Sequence, residues 1–280
     1  MTHPVVGIDH CVVLVRDLDR AEERYSRLGF QLLPRGRHSD HMGTGNHCIM
    51  LAGGYVELLG VLAARPANES WRRSLLDGEG LKSVALASPD ADRARHVFLG
   101  AGLEAGELLE FSRPVEVDGQ RGDARFRVTR LAPGIVPGLD FFVCQHDTPD
   151  LVWLPGADRH ENGALSLLGL TIASPNAEID AEQAARLFPA GSRRGTLVET
   201  GRGRLRFVKH PTLASLFPGI RFESLPPFAA ALHVQVSEPT QAARLLTRND
   251  VPFIRAADGT VLVPPQLACG VLVAFQTQTL

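Results

Sequence analysis

The sequence predicts an α+β fold in which four βαβββ modules form two paired, cup-shaped mixed β-sheets with helices outside. Two recurrences and one size argument predict it. A short apolar strand leading into an amphipathic helix occurs four times along the 280 residues. Each occurrence is followed by further apolar runs broken by Gly or Pro, the mark of short strands joined by turns. A unit of one helix and four strands, roughly 50 to 60 residues, cannot bury its own sheet and must pair with a neighbour.

The first strand and helix read IDHCVVLVRDLDRAEERYSRLGF, from Ile8 to Phe30. The others read KSVALASPDADRARHVFLGAGL from Lys82, LLGLTIASPNAEIDAEQAARLF from Leu167, and ALHVQVSEPTQAARLLTRNDVPF from Ala231. β-Branched and apolar residues at a period near two mark the strands. Asp17, Asp90, Asn176 and Glu238 or Thr240 supply helix-start signals, with Pro nearby in three repeats. Ala21, Tyr25 and Leu28 fall on one face of the first helix, as Ala242, Leu245 and Leu246 do on the last. Later strands are expected at FQLLP, HCIML and GYVELLGV in the first module and at FIRAA, TVLVP and GVLVAFQ in the fourth. The expected organisation is an N-terminal pair of modules over 6–148, a turn-rich linker at 149–163, and a C-terminal pair over 164–280. A second linker is expected around Ala64–Glu79.

Composition narrows the function classes. Apolar residues make up 44 % and charged residues 21 %, enough for a sizeable core. The net charge of −2, without a concentrated basic surface, argues against nucleic acid as a partner. No apolar run is long enough for a membrane span and no leader pattern opens the chain, so the cytoplasm is the expected location. Four cysteines without CxxC spacing, three of them in apolar runs, read as buried free thiols. GxGxxG, Walker and GxSxG patterns are missing, so nucleotide hydrolysis and α/β-hydrolase chemistry find no support.

The segments IDHCVVLVRDLDRA, LGF, HSDHMGTGNHCIML and GYVELLGV, with FFVCQHDTPDLVW further on, are similar to the glyoxalase-like branch of the vicinal oxygen chelate superfamily. The resemblance covers most of residues 6–165 by motif and the C-terminal half by architecture. It implies the fold strongly and the reaction weakly. In that superfamily the cup holds a divalent metal on His and Glu side chains, and the substrate chelates it through adjacent oxygens.

The resemblance implies His10 and Glu57 as metal ligands, and the physics agrees. Neutral imidazole and carboxylate suit Zn, Ni, Mn or Fe. A carboxylate inside YVELLGV is costly to bury without a partner. For His10 the plain alternative is a capping or edge histidine. A third ligand is expected at His146, which ends FFVCQH; it could equally cap the following turn. Lys82, Leu168 and Ala231 stand opposite His10 in the other modules and are not usual ligands, and Val273 replaces the carboxylate in the fourth. His38, His41 and His47 cluster in a Gly-containing loop, HSDHMGTGNH, where His38 and His47 are candidate catalytic groups beside Glu57. Tyr55, Phe142, Trp153 and Asn46 are candidate substrate contacts, against the plainer reading of core aromatics and turn hydrogen bonds. Cys144 lacks an activating third group, and His160 and Asn162 read as structural.

The expected function is a metal-dependent lyase or isomerase acting on a small oxygen-chelating molecule, with a second copy of the chain, in a homodimer, as a candidate partner. The alternatives are a ring-cleaving, extradiol-type dioxygenase or a non-catalytic small-molecule or drug-binding protein.

Overall fold

The computed structural model describes residues 2–117 and 120–277. In the first module β1 (Gly7–Val15) leads into α1 (Leu18–Arg27), then β2 (Gly36–Arg37), β3 (Thr44–Leu51) and β4 (Gly54–Val61). A short helix, α2 (Glu69–Ser74), precedes the second module: β5 (Gly80–Ala87), α3 (Ala91–Gly100), β6 (Leu109–Val117), β7 (Gln120–Arg130) and β8 (Asp140–His146). The third comprises β9 (Ala164–Ala173), α4 (Ala177–Ala185), β10 (Arg193–Arg194), β11 (Leu197–Glu199) and β12 (Arg204–Val208). After α5 (Leu213–Leu216) comes the fourth: β13 (Phe228–Val236), α6 (Pro239–Arg248), β14 (Ile254–Arg255), β15 (Val261–Val263) and β16 (Leu272–Gln276).

These strands form two eight-stranded sheets of the same plan, β2-β3-β4-β1-β5-β8-β7-β6 and β10-β11-β12-β9-β13-β16-β15-β14. The opening strands of paired modules meet antiparallel at each sheet's centre, and each runs parallel to the last strand of its own module. One apolar core joins α1, α3, α4 and α6 to the helix-side faces of both sheets. Smaller clusters line the opposite, cup-side faces.

The start signals act as the sequence predicts at two helices. Asp17 accepts from the backbone of Asp19 and Arg20, and Asp90 from that of Arg93, each worth about 1 kcal/mol. Asn176 and Glu238 stand at the caps without such bonds. Two expectations change. Residues 30–34, FQLLP, are not a strand: the turn after α1 is held instead by the His160 ring, which accepts from Gln31 N (3.0 Å) and donates to Met50 O (2.7 Å). The expected linker Ala64–Glu79 contains α2, because Trp71 finds an apolar site on Val12, Leu14 and Leu59. No helix among the described residues is long and apolar enough to cross a membrane.

Candidate active site

The site begins with an irregularity in β1. Ile8 pairs with Leu86 of β5 and His10 with Ala85, which leaves Asp9 as an extra residue in a bulge. Strict alternation would send Asp9 and His10 to opposite faces. The bulge turns both into the cup, where Asp9 Oδ2 accepts from His10 Nδ1 at 2.6 Å and from His146 Nε2 at 2.9 Å. Asp9 is buried, and burial alone would raise its pKa. The two imidazole hydrogen bonds win, and its carboxyl lies well below the usual carboxylate range.

On the other side of His10, Nε2 stands 3.7 Å from Glu57 Oε2. Glu57 comes from β4, where it pairs with Val12 of β1 and Cys48 of β3. Its Oε1 accepts from Asn46 Nδ2 at 2.6 Å and lies 3.8 Å from His38 Nε2. His38 Nδ1 is 2.7 Å from Thr44 Oγ1, and Asn46 Nδ2 also approaches His38 Nε2 at 3.4 Å. An amide nitrogen can only donate, so His38 Nε2 is the accepting nitrogen and Nδ1 carries the proton. Burial, with the Arg113 charge and against the pull of Glu57, lowers the His38 pKa and favours this neutral ring.

The walls are aromatic. Tyr55 stacks on His10 with ring centres 4.2 Å apart, and Phe142 meets it edge-on at 5.4 Å. Phe126 and Trp153 pack on His146 at 5.1 and 4.7 Å. His146 Nδ1 is buried with no hydrogen-bond partner. Burial holds the Tyr55 phenol and the Cys144 thiol well above their usual pKa values, so both stay protonated.

His10, Glu57, His38, Asn46 and His146 therefore reach one face, and Tyr55, Phe142 and Trp153 enclose it. His47 does not join them. It is adjacent to Asn46 on β3 and points to the helix side, with Nδ1 3.0 Å from Leu33 O and Nε2 3.6 Å from Glu22 of α1. His41 is exposed. Asp9 was missing from the sequence reading, because only the bulge brings it to the cup.

Two donor sets are available for a metal. Asp9, Cys144 and His146 place a ligand atom each within 4.8 Å of one another. Here the thiol is held protonated and the carboxylate oxygen already accepts from two imidazoles. In the second set, His10 and His38 each engage Nδ1 elsewhere and direct Nε2 at Glu57, too far for a hydrogen bond. Two imidazole nitrogens turned towards one carboxylate, with only the long Asn46 approach to His38 Nε2 to displace and each ring held through Nδ1, fit a divalent ion better.

The model of a glyoxalase-like domain family matches residues 8–188. The chain belongs to this family. The matched span begins at β1 and includes the whole glyoxalase-like cup. Two solved structures extend the likeness over both sheets and support a vicinal oxygen chelate fold for the glyoxalase-like chain. A hypothetical protein from Staphylococcus aureus is 12 % identical, with 97 % of this chain and 99 % of that one covered and a TM-score of 0.66. A mutant of 4-hydroxymandelate synthase from Streptomyces coelicolor is 13 % identical over 97 % of this chain and 92 % of its own, with a TM-score of 0.62. Methylmalonyl-CoA epimerase from Mycobacterium tuberculosis is 20 % identical over 52 % of this chain and 91 % of its own, with a TM-score of 0.41. No curated protein matches the sequence.

In the second cup of this glyoxalase-like protein, His233 is buried and bonded on both sides, to Thr171 Oγ1 and Gln276 Oε1, each at 2.9 Å. Phe217, beside α5, packs against its ring at 6.0 Å, so this cup is filled by the protein's own side chains.

Proposed function

We propose that this glyoxalase-like protein is a metal-dependent lyase or isomerase that binds a small substrate through adjacent oxygens. One observation carries the reading: the Nε2 atoms of His10 and His38 flank the two oxygens of Glu57 at 3.7 and 3.8 Å, while their Nδ1 atoms are engaged elsewhere. His10, His38 and Glu57 would hold the ion, whose chemistry there is Lewis-acid stabilisation of an oxyanion. His10 Nε2 and Glu57 Oε2 are 3.7 Å apart, too close to admit a side chain between them, which favours a shared ion over a purely binding role.

The chain's own groups account for the proton. Asp9 accepts from His146 Nε2, so the lone pair of His146 lies on Nδ1, which is buried and unpartnered inside the cup. That atom can take a proton from a substrate carbon and return it to a neighbouring position, the role of a general base and acid. Asp9 orients both His10 and His146. Tyr55, Phe142 and Trp153 exclude water, which strengthens every polar contact inside.

The donor set favours a second reading. Two histidines and one carboxylate are also the ligands of non-haem iron oxygenases, which keeps an extradiol-type dioxygenase in view. Metal analysis of protein purified without chelator should find about one equivalent of Zn, Ni, Mn or Fe per chain. Absence of metal, together with no rise in melting temperature when these ions are added, would sink both readings. Oxygen uptake with catechols identifies the dioxygenase; exchange of substrate carbon-bound hydrogen with deuterated solvent identifies the isomerase or lyase.

A further inference from the structure

Arg130 stands at the end of β7, opposite Phe142 of β8. Its guanidinium carbon lies 5.8 Å from the centre of the Trp71 ring and 5.9 Å from that of Phe142. Phe142 in turn meets the His10 ring at 5.4 Å, so the guanidinium is one aromatic ring removed from the His10 and Glu57 floor. Trp71 itself is packed on the buried side chains of Val12, Leu14 and Leu59.

Arg130 is exposed, and its guanidinium rests on the two rings. Among the described residues its guanidinium makes no hydrogen bond and no ion pair within 4.0 Å; its recorded neighbours are the two rings. Asp140 and Glu57 are close enough to act on it through their fields but not to bond it. Arg113, on β6, is a further cation whose field reaches the floor at His38. Crowding by the protein lowers the pKa of Arg130, yet a guanidinium remains charged. Five donors on a planar fork, held by two aromatic rings and left unpaired, match a two-oxygen anion.

We infer that Arg130 is a specificity-determining residue and that the substrate is a small organic acid: its carboxylate seats on Arg130, and its reacting oxygens face Glu57. The last clause rests on the function proposed above; the carboxylate seat does not. An acid bound in this way is fixed at both ends of the cup. A neutral analogue of the same shape would leave the guanidinium unpaired beside it and forfeit a charge-assisted pair.

Calorimetric titration of the wild-type protein tests this, with sodium succinate, its neutral diamide and inorganic phosphate as probes, in chelator-treated and metal-loaded samples. Succinate should bind at least ten-fold more tightly than the diamide in both samples. Arg130→Gln should remove most of that preference, with Arg130→Lys intermediate; thermal melts of both variants confirm that they fold. Equal binding of succinate and diamide, or full succinate affinity in folded Arg130→Gln, overturns the inference. Phosphate binding more tightly than succinate overturns its assignment to a carboxylate. Failure of metal uptake would defeat the proposed function and leave the chelator-treated titration as a separate test of Arg130.

Discussion

Asp9 Oδ2 lies 2.9 Å from His146 Nε2, and the same oxygen accepts from His10 Nδ1 at 2.6 Å. One buried carboxylate thus ties the opening strand of the first module to the last strand of the second. Asp9→Asn keeps the shape but replaces the charged acceptor of both imidazoles with a neutral amide oxygen. We expect a loss of about 2 kcal/mol in chemical denaturation, since hydrogen bonds to a charged, buried acceptor are stronger than those to a neutral one. Metal affinity should fall roughly 10- to 100-fold, as for other changes behind a ligand. Unchanged values of both would mean that Asp9 is not the organising group.

The proposed ligands separate cleanly from the histidine that faces away. His10→Ala and Glu57→Gln should abolish metal retention, measured by elemental analysis after gel filtration. His38→Ala should weaken it by roughly 10-fold or more. His47→Ala should leave metal content unchanged, because His47 lies on the α1 side of β3. Loss of metal in the last variant alone would overturn this assignment.

Gly36 lies opposite Asn46 in the β2–β3 pair. A Cβ on Gly36 would clash with Asn46 Oδ1. The movable end of the Asn46 side chain would yield, and it is the group that donates to Glu57. Gly36→Ala should therefore change stability by less than about 1 kcal/mol while reducing metal affinity and turnover. Isothermal titration with the activating metal, set beside a thermal melt, checks the split.

His233 supplies a pH-dependent contribution to stability from the second cup. Burial, joined by the Arg206 charge and opposed by the Gln276 bond, lowers its pKa from 6.5 to about 4. The folded protein binds this proton less readily than the unfolded chain, so folding is favoured as pH rises. The contribution is complete above about pH 6.5 and declines as pH falls towards 4, by about 3 kcal/mol in all. Urea denaturation between pH 4 and 7 should show a shallower slope in His233→Gln than in wild type. Parallel slopes would mean that His233 is not the titrating group.

Much of the fold can be read from local signals. The four repeats, Asp17 and Asp90 as caps, and the apolar stripe through Ala21 and Tyr25 depend on neighbours three or four residues apart. The site is less legible. Asn46 and His47 look alike as members of a polar cluster, yet β3 begins at Thr44, and strand alternation sends one to Glu57 and the other to Glu22. Starting that strand at Thr44, three residues before His47, separates them. Nothing local marks Asp9, since its orientation comes from a bulge against β5, more than seventy residues on. Arg130 and Trp71 meet only because a helical turn in an expected linker folds onto the cup.

By itself the sequence determined the repeated module, the pairing of modules and the chemistry available, because strand period, helix caps and residue type are local properties. Only the tertiary structure decided which side chains share the cup. Convergence there depends on register, on one bulged residue and on contacts between distant strands, none of which a linear spacing records.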